Sequence, residues 1–314
     1  MENEESFERW KRLSTIISFW VFGLCNNLGY VVMLSAAHDI MKEFDESDVD
    51  SVSTKEGYLR ECTVIGTGAI LLADIVPSIL VKLVAPFVPL MIHIRMALTI
   101  GTSAVGFILV ALKFNKWLII LGVILTSISS GLGETSLLAY MVFFKTKNVI
   151  STWSSGTGAA GLLGSFAYAA LISVGLSPSA TLLSMLVSPL SMAACFWLVV
   201  DHPKVTKSDG YLEEEESAPL DAILQGINVI LLVFEVIEGY MKYLLIVMVI
   251  ILWEGLIAGA SYVNTYRKIA SETPPAEREF SMSMNSFSDS IMITLAGFIA
   301  LPSHDYICKI KPPY

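Results

Sequence analysis

Four carboxylates lie inside apolar stretches that are long enough to cross a membrane: Asp74, Glu134, Glu254 and Asp289. A charge at the bilayer centre costs about 2.5–3.5 kcal/mol on insertion scales, so acids at this depth are typical of proteins that move a proton or a solute. In an apolar site a carboxylate can titrate at mildly acidic pH or recognise a cation. The alternative is that these acids lie near helix ends, pair with Lys82 or a loop base, and only stabilise packing.

The last apolar stretch adds a polar stripe to the candidate pathway. Ser281, Asn285 and Ser288 recur at intervals of four and three residues, with Asp289 beside them. This spacing places them on one face of a helix. Such a face either lines a cavity or seals against another helix, and the sequence favours neither.

Three more polar side chains belong to the candidate pathway: Tyr262, Asn264 and Lys82. Tyr262 follows Glu254 by eight residues and shares roughly its helix face, whereas Asn264 lies nearer to a helix end. Lys82 is a basic residue near the end of an apolar stretch, and it could meet an anionic group of a substrate.

The motif Gly156-x-Gly158-x-x-Gly161 matches a dinucleotide fingerprint, but that fingerprint requires a preceding β-strand and none is predicted here. We interpret the glycines as small residues that let membrane helices approach closely. The alternative is a helix N-terminus at Ser154 and Ser155 that faces an anionic substrate, because free N–H groups attract anions.

Two His-Asp pairs, His38-Asp39 and His304-Asp305, are predicted at helix ends. Histidine titrates between neutral and mildly acidic pH, so His38 and His304 could sense acidity, although interfacial histidines with satisfied hydrogen bonds are commoner. No spacing of metal ligands occurs, and no catalytic constellation is assembled. We therefore predict no metal, no cofactor and no enzyme activity.

The composition indicates an integral membrane protein. Hydrophobic residues make up 54% of the 314 residues, charged residues make up 16%, and the mean hydropathy is +0.66. A soluble domain of this length needs more charge to cover its surface, so membrane lipids are the expected surroundings. The net charge of −9 argues against a nucleic-acid partner.

The predicted fold class is an all-α polytopic membrane protein with about nine transmembrane helices. Their length is close to the 20 residues that a spanning helix needs. The nine candidate spans are 14–37, 64–84, 95–112, 117–138, 154–174, 180–200, 223–239, 242–265 and 281–301.

Basic residues around the first span place the N-terminus in the cytosol by the positive-inside rule. The charged tract 201–222 is predicted to be a disordered cytosolic linker that could dock trafficking partners. The predicted regions are a cytosolic N-terminus (1–13), a six-helix N-terminal bundle (14–200) with a luminal loop (38–63), the linker (201–222), a reduced C-terminal half (223–301) and a tail (302–314).

Seven stretches, in this order, resemble the battenin family of lysosomal membrane proteins, whose loss causes a juvenile neuronal ceroid lipofuscinosis. They are LCNNLGYVVMLSAAHDI (24–40), AILLADIVPSILVKLVAP (69–86), SSGLGE (129–134), WSSGTGAAGLLG (153–164), LSPSATLLSML (176–186), LWEGLIAGASYVNTYRKIASET (252–273) and REFSMSMNSFSDS (278–290). The resemblance implies a major-facilitator-like helical bundle in the late endosomal and lysosomal membrane.

The resemblance also implies a function in lysosomal pH homeostasis and in the export of small polar metabolites, either glycerophosphodiesters or basic amino acids. Protons are an expected coupling partner. Members of the family have about eleven spans, so roughly two helices of the second half are missing here. The alternative function is a membrane scaffold that regulates acidification and trafficking through partners of the acidic linker.

Overall fold

The computed structural model describes residues 2–48, 66–88, 90–144, 148–202, 218–241, 243–274 and 276–310. Within these residues every regular element is helical, which confirms the all-α class. The α-helices are α1 (Glu2–Asp48), α2 (Gly66–Val84), α3 (Ile92–Leu112), α4 (Lys116–Met141), α5 (Val149–Ser173), α6 (Pro178–Ser184), α7 (Val187–Ala194), α8 (Ala218–Glu238), α9 (Leu244–Glu272) and α10 (Arg278–Lys309). A 3₁₀ turn (Ala85–Phe87) follows α2, and a π turn (Cys195–Val199) follows α7.

Six segments of the described chain are long and apolar enough to cross a membrane. They are Arg9–Met33, Ile92–Leu112, Lys116–Met141, Val149–Ser173, Pro178–Val199 and Leu245–Glu272. The other three predicted spans fall on α2, α8 and α10, which are helices of 19, 21 and 32 residues. The chain is therefore a multi-pass membrane protein.

The sixth predicted span, 180–200, is an interrupted helix. Helix α6 ends at Ser184 and α7 begins at Val187. Pro189 explains the break, because it has no N–H to donate to Met185 four residues earlier and its ring crowds that carbonyl. The carbonyl of Met185 accepts from the N–H of Ser188 instead, at 2.9 Å.

Three helices run further than the spans that hydropathy predicts. The loop predicted to begin at residue 38 is helical through Asp48, in a stretch that contains neither glycine nor proline after residue 30. Helix α8 begins at Ala218, inside the predicted linker, with Pro219 in its first turn, where proline is tolerated. Helix α10 continues through Pro302 to Lys309, so the predicted tail is mostly helical. The acidic run at 213–216 lies outside the described residues.

Helices α1 and α5 pack backbone against backbone at two glycines. A Cβ atom on Gly156 would overlap the carbonyl oxygen of Trp20, and one on Gly23 would overlap that of Trp153. In contrast, Gly158 and Gly161 have open space around the position of a Cβ. The predicted glycine packing is therefore wrong for Gly158 and Gly161, which lie on the exposed face of α5.

The N-terminal half ends in an aromatic cluster around His202, just beyond the sixth span. The hydroxyl of Tyr140 and Nδ1 of His202 share a hydrogen bond of 2.7 Å, and the His93 ring lies 4.8 Å from the His202 ring. Beside this cluster, Lys11 forms an ion pair of 2.9 Å with Asp201. Burial, together with the nearby His93, lowers the pKa of His202, although Asp201 opposes this shift.

We expect acid to destabilise the protein through His202. A histidine whose pKa is lower in the folded state takes up its proton more readily when unfolded, so stability falls as the pH drops below the ordinary value of about 6.5. Replacing His202 with glutamine should reduce the loss of melting temperature between pH 7.5 and 5.5. Thermal unfolding in detergent at both pH values measures this, and equal losses in the two proteins would contradict it.

Candidate functional site

A cavity of about 150 Å³ lies between helices of both halves of the protein. Its lining comes from α1, α2, α4 and α10 and is rich in carboxylate, amide and hydroxyl groups. The lining residues are Asn27, Tyr30, Asp74, Ile75, Ser78, Ile79, Lys82, Ser130, Glu134, Ser290 and Ile293.

Helix α2 supplies one wall of the cavity through a regular polar stripe. Asp74, Ser78 and Lys82 recur at intervals of four residues, which places all three on one helix face. Pro77 interrupts this part of α2, and Ser127 of α4 compensates: its hydroxyl accepts from the N–H of Ser78 and donates to the carbonyl of Asp74. A hydroxyl from a neighbouring helix commonly satisfies backbone groups next to a proline in a membrane helix.

Lys82 and Glu134 form an ion pair at the cavity wall. The ammonium of Lys82 donates to Oε2 of Glu134 at 2.8 Å and to the hydroxyl of Ser290 at 2.8 Å. The hydroxyl of Ser286 donates to Oε1 of Glu134 at 2.9 Å. The Lys82 and Glu134 side chains are only 7% and 15% exposed. Because Ser286 and Ser290 lie on α10, this network joins the C-terminal half to α2 and α4.

Asp74 has no such partner. Its side chain is 1% exposed, and both carboxylate oxygens are buried without a hydrogen bond from any described residue. A buried charge in this condition is costly unless the group binds a proton or pairs with a ligand. Asp74 can therefore act as a proton acceptor or as a contact for a cationic group that enters the cavity.

A second polar cluster lies near Glu134 and outside the cavity lining. It contains Asp289 of α10 and the stacked pair Tyr262 and Tyr266 of α9, whose ring centroids are 4.6 Å apart. Trp153 of α5 is next to it. Nε1 of Trp153, the hydroxyl of Tyr266 and Oδ2 of Asp289 are buried and make no hydrogen bond of ordinary geometry within the described chain.

The structure brings several of the predicted site residues together and leaves others apart. Asp74, Lys82 and Glu134 line the cavity, whereas Asp289 and Tyr262 belong to the second cluster, and Asn285 lies next to Tyr266 in it. Glu254 does not reach the cavity: it accepts a hydrogen bond of 2.8 Å from Asn228 of α8. Asn264 is half-buried on α9 and is not part of the lining.

The polar stripe predicted on the last helix is wrong for Ser288. Ser288 is exposed and donates to the carbonyl of Met284 in its own helix. The buried hydroxyls are those of Ser283, Ser286 and Ser290, which also recur at intervals of three and four. Both stripes satisfy the helical period, and only the packing of α10 on α2 and α4 distinguishes them.

The sequence analysis also missed cavity residues on three other helices: Asn27, Tyr30, Ser78 and Ser130. A signal was present for Ser78, because it lies midway between Asp74 and Lys82 on the same helical stripe. The same signal was present for Ser130, which precedes Glu134 by four residues, whereas Asn27 lies in an apolar segment without a neighbouring charge, so its spacing alone does not indicate a cavity.

The predicted anion site at Ser154 and Ser155 is wrong. Helix α5 begins at Val149 with Asn148 as its N-cap, so both serines lie beyond the first turn. Their backbone N–H groups fall within the helix, where they are bonded to carbonyls one turn earlier, and are not available to an anion.

The two His-Asp pairs lie within helices and not at helix ends. His38 is in α1 and His304 is in α10, and their side chains are outside the described part of the structure. Their neighbours have partners: Asp39 accepts from the hydroxyl of Tyr168 at 2.7 Å, and Asp305 pairs with Lys309 at 2.6 Å. Among the described residues, no group of three or more histidine, cysteine or acidic side chains could hold a metal ion.

The fold and the site define a polytopic helical membrane protein in which α1, α2, α4 and α10 line a charged polar cavity. The profile of the family described as CLN3 protein matches residues 17–222 and 216–310. The chain therefore belongs to the CLN3 protein family, a family of membrane proteins. It is similar to battenin and to the BTN1 proteins. No solved structure matches it significantly.

Battenin of Canis lupus familiaris is 32% identical over 408 aligned positions, which cover 96% of this chain and 92% of battenin. Protein BTN1 of Kluyveromyces lactis is 28% identical, and the alignment covers 94% of this chain and 95% of the BTN1 protein. Because 408 exceeds the 314 residues of the chain by 94, at least 94 positions of battenin have no counterpart here. The two matched ranges meet at residues 216–222, at the start of α8.

Proposed function

We propose that this protein transports a small polar metabolite by alternating access, without enzymatic chemistry. The observation that carries the proposal is the ion pair of Lys82 and Glu134, which α10 completes through Ser286 and Ser290. A transporter needs a contact between helices that can be joined or separated, and a polar network that one helix completes can serve as such a contact.

The arrangement of basic residues supports a cytosolic position for one end of the bundle. The ion pair of Lys11 with Asp201 lies at this end, and Arg267 donates to Ser151 at the start of α5. Arg278 begins α10 at the same end. By the positive-inside rule this end faces the cytosol. In this orientation the Lys82–Glu134 pair lies towards the cytosol and Asp74 lies deeper in the membrane.

The cavity chemistry suits a substrate that carries charge and several hydrogen-bonding groups. Lys82 can attract a phosphodiester, whereas Asp74 can pair with an amine or a guanidinium. Amide and hydroxyl groups on three further helices can bind substrate hydroxyls. We propose a glycerophosphodiester or a basic amino acid as the substrate class, and the late endosomal and lysosomal membrane as the location, where export would support pH homeostasis.

We expect the variant Asp74→Asn to separate these two substrate classes. The assay is uptake by proteoliposomes of radiolabelled lysine and of radiolabelled glycerophosphoinositol, a phosphodiester that carries no cationic group. If the substrate is cationic, lysine uptake should fall at least tenfold, because its buried anionic partner is lost. If the substrate is a phosphodiester, glycerophosphoinositol uptake should persist.

The matched control is Glu272→Gln, an exposed carboxylate on α9 whose ion pair with Lys268 spans 3.6 Å. This variant should transport like the wild type, because exposed pairs of this kind contribute little. Absence of uptake of both compounds by correctly folded wild-type protein would contradict the proposed function.

The second candidate function is a membrane scaffold that regulates acidification and trafficking. It is favoured by the 94 or more positions of battenin without a counterpart, because a shortened second half has fewer helices to enclose a substrate. Deleting 205–216 should abolish a scaffold function in cells that lack the relative, and replacing Glu134 with glutamine should not. The opposite result would support the transporter.

A further inference from the structure

The surroundings of Lys82 contain more negative than positive charge. Glu134 is its direct partner, Asp289 precedes its second partner Ser290 on α10, and Asp74 lies two turns earlier on its own helix. Glu134 and Asp289 therefore share one buried base, whereas Asp74 lies about 12 Å along α2 from it. Carboxylates that share a site cannot all be ionised at modest cost, so at least one of them holds a proton or meets another cation.

The hydrogen bonds distinguish Glu134 from Asp289. Both oxygens of Glu134 accept hydrogen bonds, one from the ammonium of Lys82 and one from Ser286, which favours the ionised form. In contrast, Oδ2 of Asp289 is buried and makes no hydrogen bond of ordinary geometry with the described residues, and the side chain that approaches this carboxyl group as a hydrogen-bonding partner is the neutral hydroxyl of Tyr266. A carboxyl group in this position is less costly when it is protonated.

The groups that face Asp289 come from three other helices. Lys82 of α2 acts on it as a positive charge, and Glu134 of α4 acts on it as a negative charge. Tyr262 and Tyr266 of α9 lie beside it as neutral hydroxyls, and on α10 the neighbouring side chain is Asn285. No positive group among these donates a hydrogen bond to Asp289, because the ammonium of Lys82 donates to Glu134 and Ser290.

Asp289 and Asp74 also differ in their access to a substrate. Asp74 lines the cavity, whereas Asp289 lies outside its lining. A substrate in the cavity can therefore contact Asp74 directly. It can influence Asp289 through Lys82 and Glu134, which line the cavity and whose charges act on Asp289.

We propose that Asp289, and not Glu134, is the carboxyl group that binds the proton coupled to transport. This inference rests on the proposed transport function and adds the position of the coupling site. When Asp289 is protonated, Lys82 remains paired with Glu134 and the two halves stay joined. When Asp289 loses its proton, the new carboxylate competes with Glu134 for Lys82 and loosens the contact of α10 with α4.

The test is chemical labelling of the purified full-length protein with dicyclohexylcarbodiimide, which reacts with protonated carboxyl groups in apolar surroundings. Peptide mass spectrometry resolves the labelled residues. We expect Asp289 to be labelled at least tenfold more than Glu134 at pH 5, and its labelling to fall at least tenfold by pH 9. The variant Asp289→Asn confirms the assignment if that label disappears.

Labelling of Glu134 that equals or exceeds that of Asp289 would overturn the inference, as would labelling of Asp289 that does not change with pH. In proteoliposomes that transport one of the two probes, Asp289→Asn should also abolish accumulation driven by a pH gradient. A variant that still accumulates the probe would overturn the inference as well. Because labelling requires no transport, failure of uptake in the wild type would count against the proposed function alone.

Discussion

Replacement of Lys82 by methionine is expected to destabilise the folded protein by about 3–5 kcal/mol and to abolish transport. The physical reason is that Glu134 would be left as a buried charge without its partner, and removal of one member of a buried ion pair has this magnitude. The two side chains are 7% and 15% exposed, so water can replace little of the lost interaction. Thermal unfolding in detergent and uptake by proteoliposomes measure the two effects.

A second substitution shows whether the lost charge is the cause. In the double variant with Glu134→Gln the site is neutral, and we expect it to recover most of the lost stability but no transport. The matched surface control is Lys268→Met, which breaks the exposed pair with Glu272. Exposed pairs contribute about 0–1 kcal/mol, so an equal loss in this control would contradict the argument.

Replacement of Gly156 by alanine is expected to destabilise the protein by about 3 kcal/mol, although it adds a single methyl group. That methyl group would overlap the carbonyl oxygen of Trp20, which is part of the backbone of α1 and cannot move aside like a side chain. Overpacking in a close contact costs about 1–3 kcal/mol, and a backbone obstacle favours the upper end. The melting temperature and the yield of monodisperse protein measure this effect.

Gly158 provides the matched control in the same helix, two residues away. A Cβ atom on Gly158 meets nothing within 4 Å, so alanine there should leave stability unchanged or raise it slightly. If both variants lose the same stability, the cause is a general intolerance of α5 to substitution and not the contact with α1. The pair therefore tests the position of the helix interface directly.

The sequence determined the class of protein and most of the chemistry on its own. Hydropathy and the absence of strand periodicity predict an all-α polytopic membrane protein, because the bilayer requires helices that satisfy their own backbone. The acids Asp74, Glu134 and Asp289 are visible from the sequence because charge inside an apolar segment is costly. The order of motifs also identified the family, and the profile comparison confirmed it.

Only the tertiary structure decided which of these groups meet. The sequence gives each helix a period but does not give its rotation or height relative to its neighbours. For this reason it selected Ser288 where packing buries Ser286 and Ser290, and it selected Gly156, Gly158 and Gly161 alike, of which packing uses Gly156.

The partner of Lys82 depends on the same relative positions. Lys82 and Glu134 are 52 residues apart, and Lys82 and Ser290 are 208 residues apart. Spacing within one helix cannot specify a contact across three helices, because the energy that fixes it comes from burying all of them together. The sequence therefore supplied the charges, and the packing of α2, α4 and α10 decided which of them are neutralised and which, like Asp74, face the cavity without a partner.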